Sequence, residues 1–297
     1  MRLASLCYNA LRFAGVTTMA RRLSKDGVVL CYHNVVGPTD DSAANQLGLH
    51  MPLATFERQM RWLAEHYAVV PLEEFVARLS QGGSLRGVAA LTFDDGYAGV
   101  FEHAWPVLRD LGTPATVFVV ADAPGRDDGF WWDNPMVLQT HSPEQQQRWL
   151  TGCNGDRTKI VDAPWRPAAW CRPATWRTIA TAAAAGLHIG VHSSTHRSLP
   201  TLPETELYHE IVESRDIIRR RTGVTPVFFA YPYGLWNERV RQAVHAAGYR
   251  AAFTLASDHA AGRRDAWALP RINVPAGIDD AAFQAWTAGL NLRRHSA

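Results

Sequence analysis

Val88-Ala-Ala-Leu-Thr-Phe-Asp-Asp-Gly-Tyr97 begins as a short apolar run of strand type and stops in two adjacent carboxylates and a glycine. Asp-Gly is a common hairpin signal, and a bare turn would account for this stretch taken alone. Two further polar clusters follow apolar runs in the same manner. His192-Ser-Ser-Thr-His196 follows residues 187–191, and Tyr231-Pro-Tyr-Gly234 follows residues 227–230. Three such clusters argue for strand ends that something uses.

Outward from residue 88 the chain alternates. Residues 28–32, 67–70, 115–120, 187–191, 227–230, 250–255 and 269–274 read as further strands. Helical spacing marks 53–66, 72–79, 101–111, 175–185, 204–221 and 237–247, with Thr55 and Asn237 as N-caps and Gly112, Gly186 and Gly248 as stops. This strand–helix alternation predicts an α/β fold, a parallel sheet closed into a barrel of about seven strands. In such a barrel the C-terminal strand ends share one rim, so the three polar clusters are expected to converge there.

Residues 124–170 differ. They carry Phe130-Trp131-Trp132, Trp149, Trp165 and Trp170 with little sustained periodicity, and only 144–150 reads as a short helix. Such a stretch reads equally as a functional lid and as an aromatic cover over one end of the core. The resulting plan is an N-terminal helical segment (1–25), a barrel domain (26–290) carrying the insertion 124–170, and a polar tail (291–297).

Composition narrows the partners. Net charge is +2 over 297 residues, so nothing calls for nucleic acid. The arginines are scattered, which argues against phosphate recognition. Cys7, Cys31, Cys153 and Cys171 show no paired short spacing, so neither a zinc knuckle nor a disulfide framework is indicated, and a reducing compartment fits. Residues 1–20 are apolar but interrupted by Arg12, too short and broken to span a membrane. No clear cleavage site precedes Arg21. This segment reads as an amphipathic helix packed on the domain. Peripheral membrane contact helped by Arg12, Arg21 and Arg22 is the lesser alternative. The expected location is cytoplasmic.

His192 and His196, four apart, share one side of a helical turn. With one aspartate they make two nitrogens and one oxygen, an open site of catalytic type. Two solvated loop histidines are the alternative for the pair alone. Zinc is the default ion, and iron, cobalt or manganese also suit this donor set.

Thr92-Phe-Asp-Asp-Gly96 with His192-x-x-x-His196 resembles the polysaccharide deacetylase family, the NodB-homology or carbohydrate esterase 4 group. The resemblance runs from about residue 28 to about residue 275. It implies a NodB-like irregular barrel and a metal-dependent hydrolase that removes the N-acetyl group from an amino sugar. It implies Asp95 as the metal ligand beside His192 and His196, Asp94 as the general base towards water, and the Tyr233 N–H as an oxyanion donor. The division is chemically sound: one carboxylate is tied to the cation and the other is free to move protons.

The chain departs from the commonest family pattern. Where a late Leu-x-Ile-x-His is usual, it reads Leu269-Pro-Arg-Ile-Asn-Val-Pro275, and Ala230 replaces the usual arginine before Pro-Tyr. An early Tyr32-His-Asn-Val35 is similar instead to the permuted branch that includes the biofilm poly-N-acetylglucosamine deacetylases. That similarity implies His33 as the general acid, with His259 in reserve; a core histidine bonded to backbone is the plain alternative. Arg271 is expected to replace the missing arginine and orient Asp94, against a surface ion pair. Tyr97, Trp131 and Trp132 are candidates to stack on sugar rings, with Tyr231 as a further substrate contact; core packing is the alternative for such rings. Lack of an export signal favours a nucleotide-linked, lipid-linked or free N-acetyl sugar over exported polymer. Deformylation and O-acetyl ester cleavage would use the same site. A carbohydrate-binding protein with a degenerate site is the rival of another class, opposed by the intact Asp94, Asp95, His192 and His196 set.

Overall fold

The computed structural model describes residues 2–38, 47–161, 165–255 and 265–291. Its strands are β1 (Val28–Tyr32), β2 (Asn34–Val36), β3 (His50–Pro52), β4 (Ala68–Val69), β5 (Val88–Phe93) and β6 (Thr116–Val119). They continue with β7 (His188–Val191), β8 (Phe228–Ala230), β9 (Ala251–Thr254), β10 (Leu269–Pro270) and β11 (Ile272–Asn273).

β1 and β5 are buried at every position and pair in parallel with Leu30 opposite Leu91 and Tyr32 opposite Phe93. Strands covered on both faces read as continuous apolar runs, which is why these two were legible. The path β10–β9–β8–β7–β6–β5–β1–β11 is parallel throughout, and β4 pairs with the first half of β5. Alternate residues supply two apolar layers. Val29, Ala90, Phe118, Phe253 and Leu269 belong to one, and Leu30, Leu91, Val117 and Phe229 to the other.

The path holds eight strands, not about seven. The run 269–274 expected as one last strand is divided at Arg271. β10 pairs with β9 on one edge and β11 with β1 on the other. This short stretch therefore bonds both edges of the sheet and nearly closes it into a barrel. β2 and β3 form a separate parallel pair that the sequence reading missed.

The expected helices form, with four differences. The expected helix 101–111 is a π-turn, Val100–Ala104, followed by the helix Trp105–Asp110. Leu53–His66 starts directly after Pro52, which takes the cap position in place of Thr55. The expected helix 204–221 is Glu204–Tyr208 and Ser214–Thr222 joined by a π-turn, His209–Glu213. The N-terminal segment is two helices, Arg2–Phe13 and Val16–Leu23, separated at Gly15 (φ 72°). They pack against helix Asp280–Thr287, where Trp286 Nε1 donates to the buried Tyr8 hydroxyl at 2.9 Å. Asn237 caps Glu238–Ala246 as expected, accepting from the Val240 N–H at 3.0 Å. The insertion is more regular than expected, with helices Pro135–Gln139, Pro143–Gly152 and Arg157–Ile160. Among the described residues no helix is long and apolar enough to cross a membrane.

Candidate active site

β5 ends by sending its two carboxylates in different directions. The Asp94 N–H still bonds the Tyr32 carbonyl at 2.9 Å, as a continuing strand would. Asp95 then turns to φ 70° and Gly96 to φ 84°. A left-handed aspartate is uncommon and marks a tight local constraint.

Asp94 meets Arg271. Nη1 donates to Oδ1 at 2.6 Å and Nη2 to Oδ2 at 2.7 Å, with both residues buried. Nη1 also reaches Thr92 Oγ1 at 3.2 Å, and the guanidinium lies 5.2 Å from the Phe118 ring centre. Arg271 lies between β10 and β11, where the pairing passes from β9 to β1. Burial pushes the Asp94 carboxyl up, but the Arg271 charge and its two bonds outweigh it and hold it well below the usual carboxylate range.

Asp95 meets the two histidines. Its Oδ1 is 3.5 Å from His192 Nε2 and 3.4 Å from His196 Nε2, and the two imidazole nitrogens are 3.2 Å apart. His192 Nδ1 lies 2.8 Å from the Ala230 carbonyl. A carbonyl only accepts, so Nδ1 carries the proton and Nε2 keeps its lone pair. Burial, then its neighbour His192, pushes His196 well below its usual range, and burial lowers His192. Both shifts favour the neutral ring that ligation requires. Asp95 Oδ1 is buried with no hydrogen-bond partner among the described residues. Burial, then Asp94 and Asp133, pushes this carboxyl well above its usual range. An orphaned carboxylate oxygen facing two lone pairs is what a divalent cation would satisfy, so the residues present fit a metal.

Cys31, His33 and Asp94 also bring donor atoms together. Both Asp94 oxygens are taken by Arg271, so a cation there would sit against a guanidinium. The Asp95, His192 and His196 group is the better fit.

The histidine loop is held by a residue the sequence reading missed. Ser193 (φ 64°) and His196 (φ 61°) both take left-handed backbone, and Ser193 Oγ accepts from the His196 N–H at 3.0 Å. Buried Glu210, from the π-turn, accepts through Oε2 from the Ser194 and Thr195 N–H groups, each at 2.9 Å, and also from the Thr195 hydroxyl. A signal existed. Glu210 lies between Leu207, Ile211 and Ser214 on the helix face that packs inward.

A cavity of about 340 Å³ opens over this centre. Its floor is His33, Asp94, Asp95, His192, His196 and Tyr233. Its wall is the insertion, through Trp131, Trp132, Val137, His141, Gln146 and Trp149. The insertion therefore shapes the site rather than only covering the core. The His196 ring packs against Trp132 (4.4 Å) and Tyr233 (4.5 Å).

His33 is half-buried on the cavity floor, not in the core. Burial, opposed by Asp94, lowers its imidazole to about 4. Tyr233 takes left-handed backbone (φ 58°), and its hydroxyl donates to the His196 carbonyl at 3.0 Å. Gly234 follows at φ 69°, where an added Cβ would come within 2.6 Å of the Leu255 nitrogen.

Tyr97 and Tyr231, expected as sugar contacts, do not line the cavity. Both are fully buried. The Tyr231 hydroxyl donates to the Trp267 carbonyl at 2.7 Å. The Tyr97 hydroxyl donates to Asp133 Oδ2 at 2.6 Å and accepts from Trp132 Nε1 at 2.8 Å. Asp133 Oδ1 pairs with His50 at 3.0 Å, and His50 with Asn34 at 3.1 Å. Tyr97 thus belongs to a buried network that ties the insertion to β2 and β3. His259 lies outside the described residues.

Comparison with known proteins agrees with this fold. A family model described as polysaccharide deacetylase matches residues 82–252. The putative polysaccharide deacetylase YxkH of Bacillus subtilis is 23% identical over 264 residues, 88% of this chain and 76% of that protein. The poly-beta-1,6-N-acetyl-D-glucosamine N-deacetylase of Staphylococcus aureus is 23% identical over 230 residues, 77% of this chain and 68% of that one. Among solved structures, Streptococcus pyogenes deacetylase PplD superposes with a TM-score of 0.63 at 19% identity, covering 85% of this chain and 93% of its own. IcaB from Ammonifex degensii gives 0.63 at 22% identity, covering 89% and 98%. With more than half its length matched by the family model and the paired aspartates and histidines converging on one rim, the chain belongs to the polysaccharide deacetylase family.

Proposed function

We propose that this chain is a metal-dependent hydrolase that removes the N-acetyl group from an amino sugar in a glycan or glycan precursor. The observation that carries this reading is the orphaned Asp95 Oδ1 facing two neutral imidazoles, beside an Asp94 kept ionised by Arg271. Asp95, His192 and His196 would hold the ion, with zinc as the first choice. When bound, a divalent cation supplies Lewis acidity towards water and towards the substrate carbonyl.

The remaining steps belong to the chain. Asp94 takes a proton from the attacking water as the new C–O bond forms at the acetyl carbon. The Tyr233 N–H donates to the developing oxyanion. His33 gives a proton to the amide nitrogen as the C–N bond breaks, leaving acetate and a free amine. Burial keeps it neutral at rest, so the proton it delivers is the one Asp94 took from the water, passed on as negative charge develops at the amine. Trp131 and Trp132 flank the sugar. The S. aureus relative's substrate supports an N-acetylglucosamine-type unit as the group received.

Acetate release from nucleotide-linked, free and oligomeric N-acetyl sugars, after chelation and after metal add-back, tests the reading. Metal-dependent acetate from one class supports it. Formate or ester cleavage alone, or no product with metal demonstrably bound, overturns it.

A further inference from the structure

The two N-terminal helices bury little and expose much. Arg2–Phe13 buries Tyr8, and Val16–Leu23 buries Thr17. On their outer side Leu6 (67% exposed), Phe13 (84%), Met19 (63%), Leu23 (62%) and Val16 (39%) stand in solvent. These are five of the nine exposed large hydrophobic residues among those described, packed into the first 23 positions. Their spacing is helical. Leu6, Ala10 and Phe13 follow one another at four and three residues, and Val16, Met19 and Leu23 at three and four. Each helix therefore carries an outward apolar row, the reverse of a helix whose apolar face serves only the core.

Within the two helices the charge has one sign. Residues 1–25 contain Arg2, Arg12, Arg21, Arg22 and Lys25 and no aspartate or glutamate. Arg12, Arg22 and Lys25 are exposed and form no ion pair among the described residues. Exposed Arg86 adds a further cation, donating to the Arg22 carbonyl at 3.2 Å. Apolar rows flanked by unpaired cations match a helix that lies in the headgroup layer of an anionic bilayer. A two-fold contact with a second copy would instead set this all-cationic patch against its own image.

We propose that the N-terminal helix pair docks the protein peripherally on an anionic lipid bilayer. Phe13, Met19 and Leu23 enter the acyl boundary, and Arg12, Arg22 and Lys25 meet lipid phosphates. The proposal goes beyond the hydrolytic reading and does not depend on it.

Co-sedimentation of the full chain with vesicles tests it, using phosphatidylcholine alone and phosphatidylcholine mixed with phosphatidylglycerol. Binding to the mixed vesicles is expected to be about tenfold or more tighter than to phosphatidylcholine, and to weaken with salt. Phe13→Ser combined with Leu23→Ser is expected to lose about tenfold or more. Arg12→Glu combined with Arg22→Glu is expected to abolish the lipid preference while circular dichroism stays unchanged. No binding to mixed vesicles, equal binding to both lipids, or binding indifferent to both variants overturns the proposal. So does a dimer in light scattering that Phe13→Ser dissolves, which would assign the face to a second copy.

Discussion

Arg271 grips Asp94 through two parallel bonds of 2.6 and 2.7 Å, and neither side chain is exposed to solvent. A planar fork on a carboxylate fixes its orientation as well as its charge. Burial favours the neutral acid and the guanidinium favours the anion, and the guanidinium wins. The folded pKa therefore lies below the unfolded value near 3.9. The pair stabilises the fold above that pH, and this contribution fades as pH falls through the folded value.

Replacing Arg271 should reverse the balance. In Arg271→Gln burial acts on Asp94 without the opposing cation, so the base takes up its proton at a higher pH. The acid limb of the kcat/KM profile is expected to move upward in pH. Urea unfolding should show a loss of about 3–5 kcal/mol, the cost of a buried charge left without its partner. A variant that folds with an unmoved acid limb would place the base elsewhere.

Asp94→Asn keeps the shape and one acceptor oxygen but removes the base. Metal content measured by emission spectrometry should stay unchanged, because Asp95 and the histidines are untouched. Acetate release should fall by about a hundredfold to ten-thousandfold. Turnover that survives intact means Asp94 takes no proton.

The role given to His33 separates substrates by leaving group. An amine must be protonated to depart, whereas a nitrophenolate leaves unaided. His33→Gln is expected to slow N-acetyl sugar cleavage by about a hundredfold or more while nitrophenyl acetate cleavage changes by only a few fold. Equal loss on both substrates would reduce His33 to shaping the cavity floor.

Glu210 touches no substrate and is a positioning residue. It holds the loop on which His192 and His196 sit, so its loss should appear in metal affinity. Competition with a chromogenic chelator should show about tenfold to a hundredfold weaker binding in Glu210→Ala and partial retention in Glu210→Gln. Unaltered affinity in both would leave Glu210 a purely structural acid.

The barrel and the convergence of Asp94, Asp95, His192 and His196 were readable in the sequence, because each follows a run buried on both faces. What escaped was set by distant partners. β2 and β3 are three residues each, and Asn34 meets His50 from 16 positions away. Glu210 sits in a charged helix where one more glutamate carries no signal by type, and only its place on the inner face sets it apart. Tyr97 read as a sugar contact because it follows the aspartates. Its hydroxyl is instead claimed by Asp133, 36 residues away, which no local pattern displays. The split of the last strand escaped because the pairing passes from β9 to β1 at Arg271, a change of partner that the apolar pattern around it does not display.

That split links two events that most barrels keep apart. Residues 269–273 are the last piece of chain to join the sheet, and they also carry the cation that ionises Asp94. A molecule whose final strand has frayed would still present both aspartates and both histidines, yet Asp94 would lack the fork that fixes its carboxylate. The seam that closes the barrel is thus also the one that orients Asp94.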